Sequence, residues 1–219
     1  MRIARLDQFV LLSLFTFAAH AGGDFTPLYN GKDLTGWYVK DSKVNQWKAN
    51  GEILLAEKGE VGAGGWLTTE NEYGDFVLKL EWKIPSHGNT GVGFRYPSEG
   101  EPAHEGMEIQ ILDDASPENA IRPPEERSGS LYVEEAPLRK ADKPVGEWNA
   151  MEITCKGTWL TVMTNGVETL HLDLAQLKVL HGHHRQYKPV SERALKGHIG
   201  LQGDRGEAVE FRNIRIREL

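Results

Sequence analysis

The sequence predicts an all-β protein, one antiparallel β-sandwich, and three observations predict it. Short runs of alternating apolar residues recur from Leu28 to the end, Gly, Pro, Asn and Asp separate them, and no stretch carries a long helical apolar stripe. The 24 glycines and six tryptophans fit many short strands and tight turns around an aromatic-rich core. A chain of this length falls within what a single all-β sandwich fills, so a second domain is not required.

The first residues stand apart from that pattern. Met1-Arg2-Ile3-Ala4-Arg5 is followed by an apolar stretch from Phe9 to Ala19, broken only by Ser13 and Thr16, and then by Ala19-His20-Ala21. A charged start, a short apolar region and an A-x-A site make a secretory signal. The apolar run falls well short of the ~20 residues that a membrane-spanning helix needs. Residues 1–21 are therefore expected to be a signal peptide cleaved after Ala21, and residues 22–219 the sandwich domain. The mature protein is expected to be soluble, secreted or periplasmic, with no membrane insertion.

Within the domain, Phe76 to Ile84 is the clearest strand: Phe76, Leu78, Leu80, Trp82 and Ile84 share one face, and Pro85 ends the run. Asn50-Gly51 and Asn165-Gly166 each lie between two apolar-alternating runs and predict two-residue hairpins of type I′. Near the end, Val209 and Phe211 are odd-numbered while Ile214 and Ile216 are even-numbered, which predicts a β-bulge around Arg212-Asn213. Asp113 to Ser128 and Leu172 to Lys196 interrupt the rhythm and read as long loops, where sites on sandwiches tend to be built. Cys155 is the only cysteine, so no intramolecular disulfide can form and it is expected to pack inside a strand.

A net charge of -7 and a pI near 5.6 argue against nucleic acid or an anionic lipid surface as the main partner and favour an uncharged ligand. No nucleophile elbow, phosphate-binding loop or Cys/His pair is present, which leaves serine hydrolase and nucleotide chemistry without support.

The polar residues that stand out lie on two runs. In Met107 to Leu112, Glu108 and Gln110 point together away from the core face of Met107, Ile109 and Ile111. In Gly91 to Tyr96, alternation puts Val92, Phe94 and Tyr96 inward and Gly91, Gly93 and Arg95 outward. Were the two runs paired, Arg95 would stand beside Glu108 and Gln110, above two glycines that leave room for a ligand. The alternative is that these are ordinary solvent-facing strand residues. His104-Glu105-Gly106-Met107-Glu108 resembles a zinc-protease motif only superficially, because it leads into a strand and ends in Glu. His104, Glu108 and Asp113 form an open candidate set for a divalent metal ion, while the His181-Gly182-His183-His184 cluster reads as a solvated loop. Trp66, Trp37 and Tyr132 are the aromatic candidates for stacking on a sugar ring, with burial in the core as the competing reading.

Taken in order, several blocks of the chain resemble one family. They are Leu28-Tyr29-Asn30-Gly31-Lys32-Asp33-Leu34-Thr35-Gly36-Trp37, Gly88-Asn89-Thr90-Gly91-Val92, Gly106-Met107-Glu108-Ile109-Gln110-Ile111-Leu112-Asp113, Gly129-Ser130-Leu131-Tyr132, Gly146-Glu147-Trp148-Asn149 and Val209-Glu210-Phe211-Arg212-Asn213-Ile214. The chain is similar, over nearly all of its expected mature length, to the 3-keto-disaccharide hydrolase domain family. The resemblance implies a jelly-roll sandwich of the concanavalin A-like lectin/glucanase type and glycosides oxidised to a ketone at C3 as substrates.

It further implies that a base removes the C2 hydrogen, the enolate expels the C1 aglycone and water adds afterwards, giving net hydrolysis. On that reading Glu108 is the base or a metal ligand and His104 the second ligand or a proton shuttle. Asp113 is an anchor of that set, Tyr132 an acid toward the leaving oxygen, and Arg95, Gln110, Asn89 and Trp66 contact substrate. One departure stands out: Gly203-Asp204-Arg205-Gly206 has Arg205 where members of the family often carry histidine. A non-catalytic glycan-binding module on the same sandwich is the alternative function.

Overall fold

The computed structural model of the protein describes residues 23–41, 45–58, 65–177, 188–203 and 206–219, so the expected signal segment, the 181–184 histidine cluster and Arg205 lie outside the described residues. Two antiparallel sheets form the fold, with strands numbered in chain order. The larger runs β11 (Val167–Asp173), β10 (Trp159–Thr164), β9 (Asn149–Lys156), β6 (Phe76–Lys83), β13 (Val209–Glu218), β4 (Ile53–Ala56) and β3 (Trp47–Asn50), with β1 (Thr26–Pro27) added to β13. The smaller runs β2 (Trp37–Lys40), β5 (Trp66–Thr69), β12 (His198–Gln202), β7 (Asn89–Tyr96) and β8 (Met107–Leu112). One helical turn, α1 (Pro102–Glu105), leads into β8. No helix among the described residues is long and apolar enough to cross a membrane.

Alternation dictates the core. Phe76, Leu78, Leu80, Trp82 and Ile84 of the larger sheet are all buried and share one cluster with Val92, Phe94, Met107, Ile109, Ile111, Ile199 and Leu201 of the smaller. Each such side chain contributes about 1.5–3 kcal/mol by leaving water. Phe76 and Phe94 meet edge to face between the sheets, with ring centroids 6.5 Å apart.

The Asn165-Gly166 turn has the expected form: Thr164 faces Val167, and both turn residues take positive φ, 50° and 80°. At the other hairpin Asn50 instead stays in β3 opposite Ile53, so Gly51 and Glu52 make the connection. That register sets Ala49 against Leu54, where a turn on Asn50-Gly51 would have set it against Glu52; burial of the apolar face overrides the turn preference. In β13 the pairing shifts between Arg212 and Arg215, with Asn213 at φ 54°, and Val209, Phe211, Ile214 and Ile216 all face inward as the parity change predicts.

A second bulge overturns one expectation. Tyr96 pairs with His198 and Phe94 with Ile199, so Arg95 is an extra residue in β7, at φ 54°. The bulge puts Tyr96 on the outward face and turns Arg95 toward the larger sheet, where its side chain is 0% exposed. Its Nε donates to the Gly74 carbonyl at 2.9 Å, Nη1 to the Gly157 carbonyl at 2.8 Å and Nη2 to Asp75 Oδ1 at 3.1 Å. Arg95 is therefore a tie between the sheets and does not stand beside Glu108.

Two predictions follow from this packing. Arg95→Leu leaves the Gly74 and Gly157 carbonyls without their donor and Asp75 without its ion-pair partner, and should lower the urea-unfolding free energy by about 2–4 kcal/mol. Cys155 is buried in β9, and burial pushes its thiol up to about 12. The reactive thiolate is thus nearly absent at about pH 8, and DTNB should label Cys155 only after the chain is unfolded in guanidinium.

Candidate functional site

Cross-strand register builds the outward face of the smaller sheet in rows. Tyr38, Thr68, Gly200, Gly93 and Glu108 lie along one, and Lys40, Trp66 and Gln202 lie with Gly91 and Gln110 along the next. Glu108 and Gln110 thus share a face, as their spacing predicts, and both are buried, Glu108 at 2% exposure.

The glycines in these rows are needed for close approach. A Cβ on Gly91 would overlap Glu108 Oε1, one on Gly200 would overlap the Tyr96 hydroxyl, and one on Gly93 would come within 2.8 Å of the Trp66 ring. The expected room for a ligand above Gly91 and Gly93 is therefore filled by the protein's own carboxylate and rings. Trp66, 3% exposed, is part of this floor, its Nε1 donating to Glu101 Oε1 at 3.1 Å, so its ring offers almost no surface for a sugar to stack on. Its ring centroid is 6.1 Å from that of Tyr96, whose hydroxyl donates to Thr68 Oγ1 at 2.9 Å. Burial raises the Tyr96 phenol well above its usual range and keeps it protonated. Trp37 is also buried, its Nε1 donating to the Leu28 carbonyl.

β8 is the edge of its sheet, and residues 129–132 run along it. Gly129 N donates to the Gln110 carbonyl at 2.8 Å, Gln110 N to the Ser130 carbonyl at 3.1 Å, and Tyr132 N to the Glu108 carbonyl at 2.9 Å. This brings the backbone of Tyr132 beside Glu108. Gln110 Nε2 donates to Asn89 Oδ1 at 2.8 Å, which joins two carboxamides next to the carboxylate. His104 stands on α1, one short turn before Glu108.

That turn is clamped by residues that sequence reasoning did not single out. Arg193 Nη1 donates to the Gly106 carbonyl and Nη2 to Glu134 Oε1, both at 2.7 Å, while Nε donates to the Lys188 carbonyl at 2.8 Å. The ion pair is buried on both sides. Its partners are far apart in the chain and share no motif, so no local signal pointed to them.

Asp113 is not brought to the site. Its Oδ2 accepts from His87 N at 2.9 Å and its Oδ1 from Ala115 N at 3.1 Å, at the far end of β8, about 16 Å along the strand from Glu108. His104, Glu108 and Asp113 therefore do not form a ligand set, and among the described residues no three His, Cys, Asp or Glu side chains are grouped to hold a metal ion. A cleft of about 900 Å³ opens elsewhere, lined by Asn30, Glu70, Glu72 and Lys196, and none of the candidate residues lines it.

What the site offers is one carboxylate withdrawn from water and held on a rigid strand, two carboxamides able to bind hydroxyl or carbonyl oxygens, and a histidine one turn away. Such a set suits proton transfer on a polar, uncharged ligand.

Comparison with known proteins gives the family of the chain. Residues 24–217 match the 3-keto-alpha-glucoside-1,2-lyase-like domain. A protein of Bacteroides thetaiotaomicron named 3-keto-disaccharide hydrolase is 28% identical over 89% of this chain and 78% of its own length. A crystal structure from Parabacteroides distasonis, provisionally assigned as a glycosyl hydrolase, superposes with a TM-score of 0.78 at 29% identity, over 90% of this chain and all of that one. A Bacillus subtilis protein with a galectin-like fold, at 13% identity and a TM-score of 0.58, shares the sandwich architecture.

The glycine floor makes a direct prediction. Gly93→Ala should cost about 1–3 kcal/mol in unfolding free energy through overpacking. It should also red-shift the tryptophan emission as the Trp66 ring is lifted toward solvent; an unchanged spectrum and stability would show that the floor yields.

Proposed function

The chain belongs to the 3-keto-alpha-glucoside-1,2-lyase-like domain family, and on that footing we propose that it cleaves glycosides already oxidised to a ketone at C3. The observation that carries the reading is Glu108, a carboxylate buried on the outward sheet face beside the Gln110 and Asn89 carboxamides.

A C3 ketone acidifies the hydrogen on C2. Glu108 takes that proton, the C2–H pair moves into a C2–C3 enolate, and the charge rests on the C3 oxygen. A hydrogen bond from the Gln110 and Asn89 pair to that oxygen would stabilise the enolate. When the enolate collapses, the C1–O bond breaks and the aglycone leaves with a proton, a role we assign to His104 or Tyr132. Water then adds across C1 and C2, its hydroxyl to C1 and its proton to C2, and the sum is hydrolysis. A carboxylate held away from bulk water is a stronger base toward carbon than a solvated one. With residues 1–21 read as a signal peptide, the proposal sets this work outside the cytoplasm.

Product analysis by NMR in deuterated water, with 3-keto-glucosides of both anomers, tests the reading. The wild type should release aglycone and carry solvent deuterium at C2. Glu108→Gln, which keeps the shape and removes the base, should lower kcat by about 10²–10⁴-fold with little change in KM. Full activity in that variant would sink the assignment, and no release from either anomer by the wild type would favour the glycan-binding module. Running each arm with and without EDTA decides whether a divalent ion takes part.

A further inference from the structure

We propose that the outward face of the larger sheet carries a second carbohydrate-contact site, centred on Trp159, that takes the flat C–H face of a glucose-configured pyranose. Of the six tryptophans, Trp37, Trp47, Trp66 and Trp82 are buried, and Trp148 lies beneath Arg212 and Lys83, 4.0 and 4.9 Å from its ring. Trp159 is 51% exposed.

The indole does not stand alone. The His171 ring packs against it, 5.3 Å centroid to centroid with the two planes tilted by 32°. Thr161 Oγ1 sits 3.0 Å from His171 Nδ1 and orients the imidazole, which leaves Nε2 for a ligand hydroxyl. Lys156, the cross-strand partner of Trp159, is exposed beside it as a second donor.

The mounting is rigid. Trp159 follows directly on the Gly157-Thr158 turn that joins β9 to β10. Arg95 Nη1 donates to the Gly157 carbonyl at 2.8 Å, Gly157 N donates to Asp75 Oδ1 at 2.8 Å, and Leu174 N donates to the Thr158 carbonyl at 2.8 Å. A flat aromatic surface held this way loses little freedom when a rigid ring settles on it, which favours binding.

The size and chemistry of the patch select the ligand. An exposed indole edged by an amine, an imidazole and a hydroxyl matches one sugar unit, apolar on its face and hydroxylated at its rim. A stable protein contact needs roughly 1,000 Å² or more of complementary surface. Val167, the other exposed apolar residue of these strands, lies at the opposite end of β11, about 20 Å from Asp173.

The test is binding, read without turnover, so it stands or falls separately from the hydrolase reading. Saturation-transfer NMR and calorimetry with cellohexaose and maltohexaose should show that the wild type binds at least one of them. Trp159→Ala should weaken that binding by about tenfold or more, and Trp159→Tyr by about threefold or less. Thermal melts of both variants check folding, and release of aglycone from a small 3-keto-glucoside should be unchanged in Trp159→Ala. The proposal falls if neither hexaose binds the wild type or if Trp159→Ala binds as well as the wild type. It also falls if sedimentation shows a self-association that Trp159→Ala abolishes while no hexaose binds.

Discussion

The extra residue in β7 is the constraint on which much of this molecule depends. A guanidinium with no exposure is tolerable only where its hydrogens find acceptors, and Arg95 finds three: two backbone carbonyls and one carboxylate. Because those acceptors precede β6 and close the β9–β10 turn, the side chain ties β7 of the smaller sheet to the larger. The same bulge reverses the alternation, so that Tyr96 reaches the outward face and packs against Trp66 and His198. One inserted residue thus shapes the wall of the candidate site and pins the turn that presents Trp159.

The outward face built on that bulge is dense where an open sheet face would be wet. Three glycines let a carboxylate, an indole and a phenol lie against the backbone, and residues 129–132 close the edge of β8. Close packing of this kind strengthens every hydrogen bond within it and raises the cost of leaving any polar group without a partner. The buried Arg193–Glu134 pair does for the α1–β8 turn what Arg95 does for the hairpin, by holding backbone in place through a charged group that has few other places to go.

Much of the sandwich was legible because its signals are local. The Phe76 to Ile84 alternation, the Asn165-Gly166 turn and the parity change in β13 each depend on a few consecutive residues, and all appear as expected. Glu108 and Gln110 were placed on one face for the same reason. Arg95 was misplaced because strict alternation cannot register an inserted residue: no composition change marks the bulge, and only the partner strand, some hundred residues on, reveals the offset. Asp113 was grouped with Glu108 through sequence proximity, whereas a strand carries five residues about 16 Å. Trp66 and Trp159 are alike as residue types, and only three-dimensional packing separates a buried wall from an exposed platform.

The residue two positions beyond Glu108 bears on which reaction this face suits. An ordinary glycosidase needs two carboxyl groups flanking the scissile bond, one to protonate the leaving oxygen and one to meet the developing oxocarbenium ion or activate water. Here the neighbour on the same face is Gln110, hydrogen-bonded to a second carboxamide, Asn89. A carboxamide cannot relay a proton as an acid does, but its N–H can hold a ketone oxygen as negative charge gathers on it. Elimination from a 3-keto sugar asks for a base at C2, such a donor at the C3 oxygen and a proton for the leaving aglycone, because the enolate holds the C2–H electron pair and expels the aglycone with it. On the proposed reading, a buried carboxylate beside two carboxamides is better matched to an enolate than to a cation, and that preference rests on the chemistry of the side chains more than on the fold that holds them.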